Sequence, residues 1–170
     1  MSHTKRSFAL LFAFLLLAVP ARGIEVYFSP NGGCTDAIIK EVKAAKTSVL
    51  VQAYWFTSVP ITQALVEAHK RGVKVEVLLD LSRTEIENAQ ADVLVDGGVP
   101  TFIDDKHTTA HSKLILVDGA VVITGSFNFT EQAEKENAEN LLVIRDKALA
   151  DKFTANWKIH RDHSGRYRKQ

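Results

Sequence analysis

Five polar residues in the second half of the chain have types that suit chemistry on a phosphate ester. His111 and Lys113 lie two residues apart, Asp118 ends the same segment, and Ser126 and Asn128 follow shortly after. An imidazole attacks phosphorus or protonates a leaving oxygen near neutral pH. A lysine, a hydroxyl and an amide hold non-bridging oxygens as negative charge develops in the transition state. These residues predict a phosphodiester-cleaving site with His111 as the nucleophile.

The segments around these residues have the pattern of a β-hairpin. The run from Ser112 to Val117 is β-rich, and a strand there would place His111 and Lys113 on one face because side chains alternate. Asp118-Gly119 between β-branched runs is a strong hairpin signal. The returning strand would bring Ser126 and Asn128 to the end of the sheet that holds His111.

The rest of the chain alternates between β-rich and amphipathic helical segments. Strands are predicted at 24–28, 48–56, 73–79 and 101–103, and helices at 35–45, 58–70 and 85–95. A strand at 140–144 and a helix at 147–159 follow the hairpin. This order predicts an α/β fold, one domain with a mixed, largely parallel sheet flanked by helices.

Length and composition agree with one globular domain. The chain has 170 residues, of which 46% are hydrophobic and 24% charged. Those proportions exclude fibrous, collagen-like and disordered proteins.

The N-terminal segment has the features of an export signal. Lys5 and Arg6 precede a run of 12 apolar residues, Phe8 to Val19, and small residues stand at Ala21 and Gly23. We predict that residues 1–23 are a signal peptide cleaved near 21–23, and that 24–170 form the mature domain. The run is short for a permanent span, although an uncleaved anchor is the alternative. A periplasmic or secreted protein without stable membrane insertion after cleavage is expected.

Export would leave the chain without a broad positive charge. Cleavage after Gly23 removes three basic residues, so 18 Lys and Arg would face 20 Asp and Glu. A nucleic-acid partner would have to be held by local positive charge.

Cys34 is the one cysteine of the chain. A lone thiol makes no internal disulfide, and a catalytic cysteine needs a paired histidine. We interpret Cys34, which leads into the first predicted helix, as structural or incidental.

The polar residues of the hairpin form a known motif. The pattern His-x-Lys-x4-Asp-x6-Gly-Ser-x-Asn is complete between His111 and Asn128. It resembles the phospholipase D superfamily, and the element order over 24–160 resembles that phospholipase D/nuclease-like fold. The chain is most similar to the small bacterial periplasmic endonucleases that carry one motif copy.

The resemblance implies a mechanism and a partner. In the family one histidine forms a covalent phosphohistidine, a second protonates the leaving group, and no metal or other cofactor is needed. Here His69, His107, His160 and His163 lack the motif around them. The resemblance therefore implies a homodimer in which two copies of His111 share one site on a two-fold axis.

The resemblance also assigns roles to individual residues. It implies that Glu139 hydrogen-bonds the catalytic histidine, while Glu134 and Glu136 are expected in solvent. Asp118 matches the family aspartate, whose role is more structural and electrostatic than chemical. The implied catalytic residues are His111, Lys113, Asp118 and Glu139, and the implied phosphate-binding residues are Lys113, Ser126 and Asn128.

The sequence leaves three kinds of function open. An exported non-specific nuclease acting on DNA or RNA is favoured, because residues 104–109 beside His111 are polar. A lipid phosphodiesterase and a binding module on an inactive fold are the alternatives. Tyr54 and Trp55 would stack on bases in a nuclease, although core packing is favoured for both. The basic tail from residue 161 to 170 either grips phosphates or is solvated.

Overall fold

The computed structural model describes residues 23–84 and 89–169. Its elements in chain order are β1 Gly23–Ser29, α1 Cys34–Ala44, β2 Ser48–Ala53, α2 Val59–Lys70, β3 Lys74–Asp80, a 3-10 turn Leu81–Arg83, α3 Ala91–Asp96, β4 Thr101–Asp104, β5 Lys113–Val117, β6 Val121–Gly125, α4 Glu131–Lys135, β7 Glu139–Arg145, α5 Lys147–His163 and β8 Gly165–Arg166. Most of the predicted signal peptide, residues 1–22, and the first four residues, 85–88, of the helix predicted at 85–95 lie outside the described residues.

The strands form one sheet in the order β1-β7-β6-β5-β2-β3-β4-β8. The prediction of a mixed sheet flanked by helices is confirmed, but the expectation that it is largely parallel is wrong. Within the described residues only β2–β3 and β3–β4 pair in parallel, through the crossover segments that contain α2 and α3. The remaining strand pairs are antiparallel. A tight turn joins β5 to β6, whereas β1–β7, β2–β5 and β4–β8 pair strands that are far apart in the chain.

Helices cover both faces of the sheet. Residues of α1, α2 and α3 pack on one face, and Ala150 and Trp157 of α5 pack on the other. In β5, Ile115 belongs to the first cluster and Leu114 to the second, so the predicted alternation is confirmed there. Among the helices of the described ranges, none is both long and apolar enough to span a bilayer.

The start of α1 is held by a residue from a distant part of the chain. Its N-cap is Gly33, which has no side chain to accept the first amide hydrogens. The Glu134 carboxylate accepts them instead, from the backbone N–H of Gly33 at 3.1 Å and of Thr35 at 2.7 Å. Glu134 is therefore a helix cap, and the expectation that it lies in solvent is wrong.

Cys34 begins α1 and is fully buried. Burial raises the pKa of its thiol to about 11, so the residue is a core thiol without the ionisation that a nucleophile needs. This environment supports the structural interpretation of Cys34.

One end of the sheet collects most of the polar residues of interest, and we call it the carboxyl edge. The strands β1, β2, β3, β4 and β6 end there, while β5 and β7 begin there. The strands that end there finish at Ser29, Ala53, Asp80, Asp104 and Gly125, and the two strands that begin there start at Lys113 and Glu139.

Candidate active site

His111 and Lys113 lie together where the chain enters β5. Lys113 Nζ is 3.0 Å from both ring nitrogens of His111 and donates to its backbone carbonyl at 2.9 Å. The imidazole is exposed, whereas Lys113 is buried. An exposed imidazole beside a buried cation has the arrangement that attack on an anionic substrate would need.

Tyr54 packs against this pair from the end of β2. Its ring centroid is 4.5 Å from that of His111, and Lys113 Nζ lies 5.1 Å from it. Tyr54 and Trp55 are both half-buried, so core packing, which the sequence favoured for both, is wrong. The reason is that the chain leaves the sheet after Ala53 and carries both aromatic residues to the carboxyl edge.

The environment of Lys113 changes its affinity for protons. Burial lowers the pKa of Lys113 because the charged ammonium loses hydration, and the negative charge of Glu139 acts in the opposite direction. Lys113 therefore loses its proton at a lower pH than an exposed lysine does.

Ser126 is held at the end of β6 by a close approach of two strands. A Cβ at Gly125 would lie 2.2 Å from the carbonyl oxygen of Asn140, so only glycine fits. Beyond it, Ser126 Oγ donates to Glu139 at 2.5 Å and accepts from the backbone N–H of Asn140 at 3.1 Å. The hydroxyl is thereby fixed at the carboxyl edge.

Glu139 does not contact His111 within the chain. Its carboxylate accepts hydrogen bonds from Ser126 and, at 3.1 Å, from the Asn137 side chain. Glu139 begins β7, two strand spacings or about 10 Å from β5, and Ser126 fills the place beside it. Within one chain Glu139 therefore holds Ser126 rather than His111. The hydrogen bond from Glu139 to a catalytic histidine stays a prediction.

Asn128 is anchored by its two neighbours. Phe127 and Phe129 are almost fully buried, and the backbone N–H of Phe129 donates to the carbonyl of Trp55 at 3.1 Å. Asn128 Oδ1 is buried and has no hydrogen-bond partner among the described residues. An unpaired buried acceptor costs about 1–3 kcal/mol, so the fold holds Asn128 at this position at the expense of one hydrogen bond.

Asp80 holds the backbone just before His111, a role that the sequence did not reveal. This residue ends β3, is buried, and accepts the backbone N–H of Ala110 at 2.6 Å. Its other oxygen accepts the N–H of Ser82 at 2.9 Å. The only signal in the sequence is an acidic residue directly after an apolar strand, which does not identify its distant partner.

Asp118 lies at the opposite end of β5 from His111. Its carboxylate accepts backbone N–H groups of Lys46 at 2.9 Å, Thr47 at 2.7 Å and Ser48 at 3.0 Å. Five residues of extended strand, about 17 Å, separate it from Lys113. Asp118 is therefore not a catalytic residue: it joins the β5–β6 turn to the start of β2.

The other described histidines do not reach His111. His69 lies in the last turn of α2, toward the opposite end of the sheet. His107, His160 and His163 gather around Asp104 at the end of β4, three strand spacings or about 14 Å from β5. Within residues 23–84 and 89–169, the site therefore contains one imidazole.

The basic tail is folded onto the domain. Arg161 pairs with Glu76 at 3.3 Å, and β8 pairs with β4. Arg166 and Arg168 are exposed. The tail is therefore not a freely solvated segment, although its two outer arginines remain open to solvent.

Comparisons with known proteins place the chain among phospholipase D-like proteins. A family model described as "Cardiolipin synthase, PLD-like domain" matches residues 38–160. Phospholipase D of Rickettsia typhi is 40% identical over 80% of this chain and 67% of its own length. Mitochondrial cardiolipin hydrolase of Xenopus laevis is 32% identical over 84% of this chain and 75% of its own length. The chain thus spans about two thirds to three quarters of these relatives.

A solved structure matches over nearly the whole described chain. The phospholipase D family member Nuc from Salmonella typhimurium superposes with a TM-score of 0.84 at 35% identity. The match covers 88% of this chain and all of Nuc. The mixed sheet and its helices are therefore those of a phospholipase D-like fold.

Because Asp118 holds backbone N–H groups far from His111, its substitution should lower stability but leave the turnover rate of the folded protein unchanged. Asp118→Asn should lower the free energy of unfolding at pH 7 by about 2–4 kcal/mol, because several N–H groups lose a charged acceptor. These hydrogen bonds also lower the pKa of Asp118 against the opposing effect of burial. The difference between wild type and variant should therefore shrink as pH falls below about 4.

Urea denaturation over a pH series measures this effect, with Asp105→Asn, an exposed aspartate, as the matched control. Loss of turnover in an Asp118→Asn protein that is still folded would contradict the structural role.

The burial of Lys113 predicts a distinct titration. In a 13C-lysine NMR titration, Lys113 should deprotonate at a lower pH than the exposed lysines, and Lys113→Arg identifies its signal. Glu139→Gln should move that titration lower still, because a favourable negative charge is lost. Glu136→Gln, at an exposed position nearby, should leave it in place. A shift to higher pH in Glu139→Gln would contradict the assignment.

Proposed function

We propose that this chain, which belongs to the phospholipase D superfamily of phosphodiesterases, is an exported endonuclease that cleaves DNA, with RNA as a further substrate. The likeness to Nuc carries the proposal, because the chain covers the whole of that protein at 35% identity. The surroundings of the site support it, since residues 105–109 before His111 are all exposed and polar. Lys106, Arg166 and Arg168 add exposed positive charge beside β4 and β8, where a long polymeric substrate would reach them.

The first step is attack by the His111 imidazole on phosphorus. A nitrogen–phosphorus bond forms while the bond from phosphorus to one ester oxygen breaks. Lys113 and the polar groups of Ser126 and Asn128 would hold the non-bridging oxygens as their charge grows. Water then attacks phosphorus, the nitrogen–phosphorus bond breaks, and His111 is released with its lone pair.

The leaving oxygen needs a proton, and the same donor must later take one from water. The nearest described histidines other than His111 lie about 14 Å from β5, and His69 lies toward the opposite end of the sheet. A second chain supplies the missing imidazole if a two-fold axis passes through the carboxyl edge. We therefore propose a homodimer in which one His111 attacks and the other serves as acid and base.

Lipid phosphodiester cleavage is the second candidate. The relatives from Rickettsia typhi and Xenopus laevis are named phospholipase D and cardiolipin hydrolase. On edge strand β1 the side chains Ile24, Val26 and Phe28 share one face and are 64%, 49% and 65% exposed. An apolar stripe of this kind suits contact with a lipid surface.

One assay separates the two substrates. Purified protein should nick plasmid DNA in excess EDTA, and His111→Ala should lower the rate by at least about 10³-fold because the nucleophile is lost. His69→Gln, toward the opposite end of the sheet, is the matched control and should keep wild-type activity. Turnover of phosphatidylcholine or cardiolipin vesicles without DNA nicking would overturn the nuclease proposal. In that case Phe28→Ser should weaken lipid turnover.

The shared site predicts how wild-type and inactive chains interfere. Co-refolding wild type with an equal amount of His111→Ala should reduce the wild-type activity to about half, because mixed dimers lack one of two essential imidazoles. Light scattering should show a dimer throughout. Unchanged activity after demonstrated subunit mixing, or a fully active monomer, would contradict the shared site.

A further inference from the structure

We infer that Asp104, His107, His160 and His163 form a binding site for one divalent transition metal ion, with zinc as the preferred metal. The site lies at the carboxyl edge beside β4 and α5. It is three strand spacings away from β5, the strand that carries Lys113. Its role would be structural, and it is independent of the proposed nuclease function.

The donor atoms of the four side chains converge on one point. Each residue contributes a carboxylate oxygen or a ring nitrogen, and these atoms all lie within 4.8 Å of one another. Asp104 oxygens are 3.0 Å from His107 Nδ1, 2.7 Å from His160 Nδ1 and 3.2 Å from His163 Nε2. Ligand atoms around a tetrahedral zinc are about 3.3 Å apart, so small movements suffice to enclose an ion.

The ring positions agree with a common centre. The three imidazole centroids are 4.8, 5.4 and 5.5 Å apart. Two imidazoles bound to one tetrahedral zinc have centroids about 5.2 Å apart, given a zinc–nitrogen distance of about 2.0–2.1 Å. Three imidazoles and one carboxylate favour zinc, copper or nickel over calcium and magnesium, which prefer oxygen ligands.

The charge of Asp104 also calls for a cation. Its side chain is completely buried, yet the hydrogen bonds it receives come from the three imidazoles and the backbone N–H of Lys106. A buried carboxylate needs a compensating positive charge. A divalent ion bound by the three imidazoles and Asp104 would supply that charge.

The fold brings these residues together from two distant segments. Asp104 ends β4 and His107 follows on the next loop, while His160 and His163 stand three residues apart on the last turn of α5. The pairing of Ile103 with Gly165 holds the two segments side by side. A metal ion here would join the end of α5 to the start of the loop that leads to His111.

The number of ligands indicates a structural ion. Four protein ligands complete a tetrahedron and leave no open position for substrate, which is the pattern of structural zinc sites. The opposite end of the same loop is held by the contact between Asp80 and the Ala110 N–H. The ion and Asp80 would therefore fix both ends of the segment that precedes the nucleophile.

Metal binding can be measured without any activity assay. Protein stripped with EDTA and dialysed should bind one zinc ion per chain in calorimetry. It should give the visible absorption of tetrahedral Co²⁺ when cobalt is added. Zinc at a hundredfold excess over Kd should raise Tm by about 5–10 °C. His107→Gln/His163→Gln should weaken zinc binding by at least about a hundredfold and abolish the rise in Tm.

Two single variants serve as controls. His69→Gln and His111→Gln should both bind zinc like wild type, because neither residue belongs to the cluster. His107 is 45% exposed, so the double variant should keep its circular dichroism spectrum. Zinc binding that is equal in wild type and double variant, or that is lost in His111→Gln, would overturn the site. Nuclease assays in EDTA should then be run below the Tm of the stripped protein, so that unfolding is not mistaken for a metal requirement in the chemistry.

Discussion

The register of β5 against β2 determines where His111 and Lys113 lie in the fold. Lys113 pairs with Ala53, and this alignment puts Lys113 at the carboxyl edge and on the same sheet face as Ile115. A slip of one residue would turn Lys113 toward the opposite face, where α5 packs. Asp118 holds the far end of β5, and Asp80 holds the backbone of Ala110 just before His111. Two buried or half-buried carboxylates therefore fix the position of His111 through its backbone.

Local patterns were sufficient to predict the parts of the structure that depend on local interactions. The Asp118-Gly119 turn and the alternation along β5 are written in consecutive residues, and the structure contains both. The predicted convergence of Ser126 with Lys113 at one sheet edge also follows from a single hairpin. His111, Lys113 and Ser126 could therefore be placed at one end of the sheet before the fold was known, whereas Asp118 of the same motif lies at the other end.

Long-range partners could not be read from the sequence. Glu134 caps a helix about a hundred residues earlier in the chain, and no spacing rule links it to Gly33. Within one chain Glu139 bonds Ser126 and Asn137 rather than His111, because β6 lies between β7 and β5. The cluster around Asp104 depends in the same way on a contact between β4 and α5. His107 is more than fifty residues away from His160 and His163 in the sequence. Such contacts depend on how distant segments pack in the folded chain, and the periodicity of the sequence does not reveal this packing.

In the proposed mechanism each chain supplies half of a catalytic unit, and His111 carries the phosphoryl group during turnover. Rapid acid-free quenching during DNA cleavage, followed by proteolysis and mass spectrometry, measures this directly. We expect a nucleotide adduct on the peptide containing His111, with the modification on its imidazole, and no adduct in His111→Ala. Full cleavage activity without such an adduct, or an adduct on another residue, would contradict it.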